Sequence, residues 1–342
     1  MEPLGDLGVD EVAQLVHTGA MPERDDVTGV IDEAHARTIG LDDGEVATYI
    51  PELADADPRL FGISVVGTDG DHYDVGDADA AFSIQSISKA FVYALVCETR
   101  GHYAVREAVG VNNTGLPFNS VMAVELNDGH PMNPMVNAGA IATTAMVPAG
   151  SATERWEIIR RGLSAFAGHP LELDASVYHS EAATNQRNQA LARLLESYGR
   201  MEEDPLEAVD VYTRQCSLVV DAHDLAVMGA TLADGGVNPV TRERVVSEQV
   251  CRDVLAIMAS AGMYERSGEW LFEIGLPAKS GVSGGIVAVA PGKGAVGAYS
   301  PRLDRAGNSV RGQRAVAYLS RTLGLNMFAA HDVGSTVKRS WT

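Results

Sequence analysis

The sequence is poor in cysteine and in long apolar runs. Its three cysteines, Cys97, Cys216 and Cys251, are widely separated and form no Cys-x-x-Cys pair, so the pattern predicts neither a disulfide framework nor a zinc site. No stretch of about 18 uncharged apolar residues occurs, and the start of the chain lacks a basic segment followed by an apolar one. We therefore expect a cytoplasmic protein with reduced, buried cysteines and no membrane partner.

Positive charge is also scarce. The 342 residues include 26 lysines and arginines against 46 aspartates and glutamates, which gives a formal net charge of −20. Such a chain has no basic surface to neutralise phosphates, so nucleic acids are not expected as partners. The acidity is interpreted as an adaptation for solubility. Because hydrophobic residues make up 46% of the sequence, we expect a globular protein with a substantial core.

Ligand patterns for metals and phosphates are absent from the sequence. His72, His102, His179 and His223 are scattered, and no carboxylate cluster with metal-loop spacing accompanies them. The glycine-rich run 281–285 lacks the G-x-x-x-x-G-K-[ST] pattern of a phosphate loop. We expect neither a metal nor a cofactor.

Two β-hairpins are predicted near opposite ends of the chain. Apolar residues in 61–66 and the segment 72–75 flank the turn Thr68-Asp69-Gly70-Asp71. Residues 286–290 and 295–299 flank the turn Pro291-Gly292-Lys293-Gly294.

Helical patterns fill the region between the hairpins. Apolar residues recur three or four apart in 156–166, 188–198 and 225–232. We therefore predict a discontinuous sheet domain from residues 1–80 and 245–342, and a helical lobe from residues 81–244. The cleft between such lobes is the expected place for a functional site.

Lysine is so rare that each example merits inspection. Only Lys89, Lys279, Lys293 and Lys338 occur, so 22 of the 26 basic residues are arginines. Lys89 ends the tetrad Ser86-Ile87-Ser88-Lys89, and Lys279 opens the run Lys279-Ser280-Gly281. Two of the four lysines therefore stand in settings that resemble motifs.

The segment from Ser86 to Glu98 is predicted to be a helix that Gly101 stops, which places Ser86 and Lys89 on one face and in contact. A serine hydroxyl becomes a useful nucleophile when a neighbouring amine of lowered pKa takes its proton. The first helical turn also offers free N–H groups to an oxyanion. An ordinary amphipathic helix start explains the tetrad equally well when it is taken alone.

The run Lys279-Ser280-Gly281 favours the chemical interpretation. A Lys-Ser/Thr-Gly triplet on an edge strand that faces a Ser-x-x-Lys helix resembles the arrangement in serine β-lactamases and penicillin-binding proteins. Glycines there let backbone approach a substrate, although Gly281, Gly284 and Gly285 fit a bulge or sheet corner as well.

Ordered blocks along most of the chain resemble the bacterial glutaminase family. They are Tyr49-Ile50-Pro51-Glu52-Leu53-Ala54, Phe82 to Lys89, Asn133 to Ile141, Glu181 with Asn188, Tyr212 to Ser217, Lys279 to Gly285, and Gly307 to Gly312. The resemblance implies a serine β-lactamase/DD-peptidase-like α/β (α+β) fold, in which helices flank an antiparallel sheet and a helical lobe is added. It also implies L-glutamine as substrate and association into a dimer or tetramer.

The resemblance assigns roles position by position. Ser86 resembles the nucleophile and Lys89 its base. The residues that resemble glutamine contacts are Tyr49, Asn137, Glu181, Asn188, Tyr212, Tyr264 and Val282. Glu181 then pairs with the α-ammonium, the asparagines and tyrosine hydroxyls donate to the α-carboxylate, and the N–H groups of Val282 and Ser86 form an oxyanion hole.

Without the resemblance, each of these residues has a plainer interpretation. Glu181 reads as a solvated helix residue and Asn137 as a turn or cap residue. Tyr212 and Tyr264 read as packing groups with an exposed hydroxyl, and if catalytic, either is a candidate to relay a proton to the leaving nitrogen.

Two other functions share part of this pattern. A penicillin-recognising serine hydrolase or peptidase has the same Ser86, Lys89 and Lys279 but acts outside the cytoplasm. A catalytically silent sensor of glutamine has the same pocket without turnover. The sequence does not separate glutamine from asparagine as substrate.

Overall fold

The computed structural model describes residue 12 and residues 21–329. Its helices are α1 (Arg24–Thr38), α2 (Ser88–Arg100), α3 (His102–Val109), α4 (Val121–Glu125), α5 (Asn137–Ala145), α6 (Ala152–Ala167), α7 (Ala175–Thr184), α8 (Gln186–Ser197), α9 (Pro205–Cys216), α10 (Ala222–Ala233), α11 (Glu248–Ala261), α12 (Ser267–Glu273) and α13 (Val310–Thr322). Short 3-10 turns cover Pro51–Asp55, Gln85–Ile87 and Tyr264–Arg266.

A five-stranded antiparallel sheet joins the two ends of the chain. Its strands are β1 (Gly62–Gly67), β2 (His72–Gly76), β5 (Ala278–Ser280), β6 (Gly285–Ala290) and β7 (Gly294–Tyr299), in the order β2-β1-β7-β6-β5. In the central pairing Val65 lies opposite Val296. A separate ribbon pairs β3 (Phe82–Ser83) with β4 (Val219–Val220).

The predicted hairpins and helices are confirmed. The β1–β2 hairpin turns at residues 68–71 and the β6–β7 hairpin at 291–293. The three helical patterns correspond to α6, α8 and α10. All six residues of β1 are buried, because helices pack on both faces of the sheet.

Helix α10 packs directly on one face of the sheet, against β7, β6 and β1. This close approach requires glycine, because a Cβ at Gly297 would lie 2.0 Å from the carbonyl oxygen of Ala222. Helices α1 and α13 cover the opposite face, where Ile31, Val65 and Val316 belong to one buried cluster. The sheet is therefore the middle layer of a helix–sheet–helix arrangement, and the boundaries of the two predicted lobes stay a prediction.

A second buried cluster packs several of the other helices against one another and against α10. It includes Phe91, Leu163, Leu191 and Leu225, from α2, α6, α8 and α10. Cys97, Cys216 and Cys251 are buried and unpaired, as predicted. Among the described residues no helix combines the length and the apolar character needed to cross a membrane.

Candidate active site

Ser86 lies where the sheet ribbon gives way to the long helix α2. The chain leaves β3, passes through the 3-10 turn Gln85–Ile87, and enters α2 at Ser88. Gln85 has φ +50°, a left-handed conformation that is strained for a residue with a side chain. The sequence predicted that the α-helix begins at Ser86, whereas it begins two residues later, at Ser88. The left-handed backbone of Gln85 places Ser86 in the tighter 3-10 turn instead. Gly101 ends α2 as predicted, with φ +83°.

Lys89 sits in the first turn of α2 and is buried. Its ammonium donates to the carbonyl oxygen of Met135 at 3.1 Å and to Oδ1 of Asn137 at 2.7 Å. Throughout residues 21–329 no hydrogen bond joins it to Ser86, and the predicted contact between the two side chains stays a prediction. Burial lowers the pKa of Lys89 to about 8, against the opposing charges of Cys216 and Glu181. A neutral amine is therefore accessible near neutral pH.

Tyr264 approaches the nucleophile position from the other side. Its backbone has φ +55°, its ring is buried, and its hydroxyl donates to the carbonyl oxygen of Ser280 at 3.2 Å. Burial raises the pKa of Tyr264, while a hydrogen bond with Ser86 opposes that rise. The Tyr264 hydroxyl therefore lies close enough to Ser86 to affect the pKa of Tyr264, and it is hydrogen-bonded to the edge strand.

Lys279 is completely buried beside the same tyrosine. Its Nζ donates to the carbonyl oxygen of Ser280 at 2.6 Å and lies 4.4 Å from the centroid of the Tyr264 ring. Burial, and then the charge of Lys89, holds the pKa of Lys279 well below its usual range. Strand β5 is the edge strand that the triplet predicted.

The loop after β5 packs against the Ser86 turn. A Cβ at Gly281 would lie 3.0 Å from the carbonyl oxygen of Ile84, so only a small residue allows this approach. Val282 follows and is buried together with Tyr264 in a small apolar cluster. The loop thereby brings its backbone close to Ser86, as an oxyanion hole requires.

Glu181, on α7, is buried rather than solvated. Nε2 of Gln85 donates to its Oε2 at 3.4 Å, so the residue before Ser86 contacts this carboxylate. Burial raises the pKa of Glu181 to about 7, although Gln85 and Lys89 oppose the rise. The carboxylate lies close enough to Lys89 for their charges to interact.

Asn137 and Asn188 form one connected pair. Asn137 begins α5 and donates from Nδ2 to Oδ1 of Asn188, on α8, at 2.8 Å. Its own Oδ1 accepts from Lys89. Within the described range the Nδ2 group of Asn188 makes no hydrogen bond, which leaves a donor for a ligand.

Tyr212, on α9, is buried on the helical side of the site. The Lys89 ammonium lies 5.9 Å from the centroid of its ring. Burial raises the pKa of Tyr212 well above its usual range, and the nearby Cys216 and Glu181 act in the same direction. Tyr212 is therefore a protonated hydroxyl beside Lys89.

Tyr49 lies at the mouth of the site. Its side chain is 57% exposed and lines, with Val282 and Phe118, a cavity of about 890 Å³. The neighbouring 3-10 turn is tied to α7, since the N–H of Glu52 donates to Oγ of Ser180 at 3.2 Å. The mouth is thus attached to the helix that carries Glu181.

The structure gathers the predicted residues into one region, with a few additions. Ser86 lies close to Tyr264. Lys89 donates a hydrogen bond to Asn137 and lies near the ring of Tyr212. Val282 and Tyr49 line the same cavity. The sequence interpretation missed the roles of Gln85, Phe118, Cys216 and the carbonyl group of Met135. Adjacency to Ser86 was the only signal for Gln85. Among the described residues no group of three or more metal-ligating side chains occurs.

The fold and this region together define the class of serine β-lactamase-like proteins, in which a Ser-x-x-Lys turn faces an edge strand that carries a Lys-Ser/Thr-Gly triplet. The family model for glutaminase matches residues 44–328. The chain belongs to the glutaminase family, as the ordered sequence blocks predicted.

Curated relatives and solved structures agree with this assignment. Glutaminase 2 of Yersinia pestis is 52% identical over 319 residues, which cover 93% of this chain and 94% of the relative. A solved structure described as a probable glutaminase has a TM-score of 0.89 and 45% identity, covering 90% of this chain and 99% of the other. Mglu in its glutamate form has a TM-score of 0.85 and 40% identity, covering 90% and 71%.

Proposed function

We propose that this protein hydrolyses the side-chain amide of L-glutamine to L-glutamate and ammonia through a γ-glutamyl ester of Ser86. The observation that carries the proposal is the grouping of Ser86 with the hydroxyl of Tyr264 and with Lys89, a buried lysine three residues further along the chain whose pKa is lowered to about 8. The similarity to Mglu, a protein solved in a glutamate form, supports the choice of substrate.

In the first step neutral Lys89 accepts the proton of Ser86, and the serine oxygen attacks the γ-carbonyl carbon. Lys89 and Ser86 share no hydrogen bond in the ligand-free site, so substrate binding must bring them together or Tyr264 must relay the proton. The backbone N–H groups of Val282 and Ser86 hold the developing oxyanion.

Tyr264 is the better candidate to deliver the proton to the leaving nitrogen. Its hydroxyl interacts with Ser86, whereas Tyr212 lies beside Lys89. Ammonia then leaves, and water attacks the ester to release glutamate and restore the hydroxyl of Ser86.

The amino-acid end of glutamine fits the helical side of the site. Glu181 is a buried carboxylate that, among the described residues, accepts a hydrogen bond only from the neutral amide of Gln85, so it suits the α-ammonium group. The free Nδ2 group of Asn188, held by Asn137, suits the α-carboxylate. Tyr49 covers this site from the mouth.

The direct test measures ammonia and glutamate release from L-glutamine and from L-asparagine, beside calorimetry of glutamine binding. Ammonia and glutamate in equal amounts are the expected result with glutamine. Binding without ammonia release would identify a sensor instead, and turnover of a chromogenic β-lactam without glutaminase activity would identify a penicillin-recognising hydrolase.

Glu181→Gln is expected to raise KM for glutamine roughly ten- to thirtyfold, because the α-ammonium loses a charge-assisted hydrogen bond. Steady-state kinetics on glutamine measure the effect. The exposed Glu196 on α8 provides a matched control, since Glu196→Gln changes the same groups far from any proposed contact. A KM that stays at the wild-type value in Glu181→Gln would remove Glu181 from substrate recognition.

The dependence of kcat/KM on pH follows from the two buried groups. Lys89 acts as a base only when neutral, above its pKa of about 8, and Glu181 binds an ammonium only when ionised, above its pKa of about 7. We therefore expect kcat/KM to rise with pH across both values and to rise more shallowly in Glu181→Gln, which retains one titration. A profile that is flat between about pH 6 and pH 8 would contradict this assignment.

We further propose that the protein acts in the cytoplasm as a homo-oligomer. The proposal rests on the family resemblance. Size-exclusion chromatography with light scattering measures the oligomeric state.

A further inference from the structure

The cavity at the mouth of the site is much larger than the leaving group of glutamine requires. It measures about 890 Å³ and is open to solvent, whereas ammonia is a single heavy atom. Val282 and Tyr49 line it, so it reaches the proposed oxyanion hole. The residues proposed to hold the amino-acid end, Glu181, Asn137 and Asn188, do not line it. Because Val282 belongs to the proposed oxyanion hole, the cavity gives space beside the reacting amide into which a substituent on the amide nitrogen can extend.

The charges in the cavity favour an anionic substituent at one place. Arg266 and Asp304 lie 4.0 Å apart, and Asp304 also accepts from Gln313 and from backbone N–H groups, so these two side chains are already engaged. Arg314 lines the same wall from the first turns of α13, is half-buried, and forms no ion pair or hydrogen bond within residues 21–329.

The remaining charges stand at the rim. Asp43, Glu45 and Arg305 are exposed, and solvent screens them more than the half-buried Arg314. The acidic rim disfavours a large polyanion, whereas one carboxylate can reach Arg314 inside it. In a chain with a net charge of −20, a half-buried arginine that has no partner in the described part of the chain is well placed to bind a small anion.

We propose that the cavity accepts the leaving group of γ-glutamyl amides of amino acids, and that Arg314 pairs with the carboxylate of that leaving amino acid. This inference rests on the proposed amidase function and extends its substrate class. The smallest such substrate is γ-glutamyl-glycine.

The chemistry is the same as for glutamine. The oxygen of Ser86 forms a bond to the γ-carbonyl carbon, and the bond from that carbon to the amide nitrogen breaks. The proton of Ser86 passes to the nitrogen, so glycine leaves with a free amino group. Water then hydrolyses the ester and releases glutamate.

The experiment compares two substrates of nearly equal size, γ-glutamyl-glycine and γ-glutamyl-glycinamide, which differ in the terminal charge. The wild-type protein is expected to show a kcat/KM roughly ten- to hundredfold higher for γ-glutamyl-glycine, the worth of one charge-assisted hydrogen bond. Arg314→Gln is expected to bring the ratio of the two values close to one. Arg252→Gln, the same change on an exposed residue of α11, is expected to keep the wild-type ratio.

The outcomes separate this inference from the proposed function. If glutamine is hydrolysed but γ-glutamyl-glycine is not, or if both γ-glutamyl compounds react equally in the wild type, the cavity is only an entrance and the inference is wrong. An unchanged ratio in Arg314→Gln would also overturn it. If glutamine is not hydrolysed while γ-glutamyl-glycine is, the proposed glutaminase activity fails and the cavity assignment stands.

Discussion

Ser86→Ala is expected to reduce glutamine turnover by about 10⁴-fold or more, because the variant loses the oxygen that forms the ester. The substitution removes one hydroxyl from a buried turn whose backbone is fixed by the neighbouring segments, so folding should be preserved. Ammonia release measures the activity, and circular dichroism with thermal unfolding measures the fold. Glutamine binding by calorimetry should persist, since Glu181 and Asn188 are untouched.

Ser88 supplies the matched control for this variant. Its hydroxyl is buried two residues further on, donates to the carbonyl oxygen of Gln85 at 2.8 Å, and contacts Cys216. Ser88→Ala should therefore keep turnover within about tenfold of the wild type, because the hydrogen bonds that it loses, to Gln85 and from Nε2 of Gln215, do not involve the reacting atoms. Substantial turnover in Ser86→Ala, or a collapse of turnover confined to Ser88→Ala, would show that Ser86 is not the nucleophile.

The fold was predictable where local pattern decides it. Turn residues between apolar runs predicted both hairpins, and 3.6-residue periodicity predicted α6, α8 and α10. The pairing of β1 with β7 joins segments more than 200 residues apart, and no local pattern encodes such a contact. The prediction that both ends of the chain share one sheet followed from the helical content between them.

The site was predictable as a list of residues but not as a set of contacts. Glu181 looked like a solvated helix residue, and only its burial in the folded protein raises its pKa, against the opposing effect of the hydrogen bond from Gln85. The left-handed conformations of Gln85 and Tyr264 cannot be read from residue type, since neither residue favours them. These strained positions flank the nucleophile, where tertiary packing outweighs local preference.

The contact between Lys279 and Tyr264 is the clearest example of such packing. The triplet indicated that Lys279 would face the Ser86 turn. The two donors that converge on the Ser280 carbonyl oxygen, Nζ of Lys279 and the hydroxyl of Tyr264, became visible only in the fold. Lys279 thereby holds the strand and the ring that position the hydroxyl next to Ser86.

Lys279→Met is expected to lower turnover about 10²- to 10³-fold and, at neutral pH, to make the protein more stable. Turnover falls because the Tyr264 ring loses the buried amine group that packs against it beside Ser86. Stability rises because burial disfavours the charged form of Lys279, which is the form that the unfolded chain holds at neutral pH. The Ser280 carbonyl keeps its hydrogen bond from Tyr264 in the variant.

The sign of the stability effect gives it a distinctive pH dependence. The free-energy cost of burying Lys279 shrinks as pH rises toward the unfolded lysine pKa of about 10.4, because the unfolded chain then holds less of the charged form, so the stability advantage of Lys279→Met should shrink with it. Urea unfolding near pH 7 and near pH 9.5 measures this difference.

Lys293 is the matched control, because it is also buried but donates to the carbonyl oxygens of Leu323 and Gly324, which Lys293→Met would leave unpaired. Lys293→Met should therefore be active and less stable, the opposite of Lys279→Met. If Lys279→Met proves less stable than the wild type at both pH values, then the buried ammonium stabilises the fold, and its role beside Tyr264 is structural.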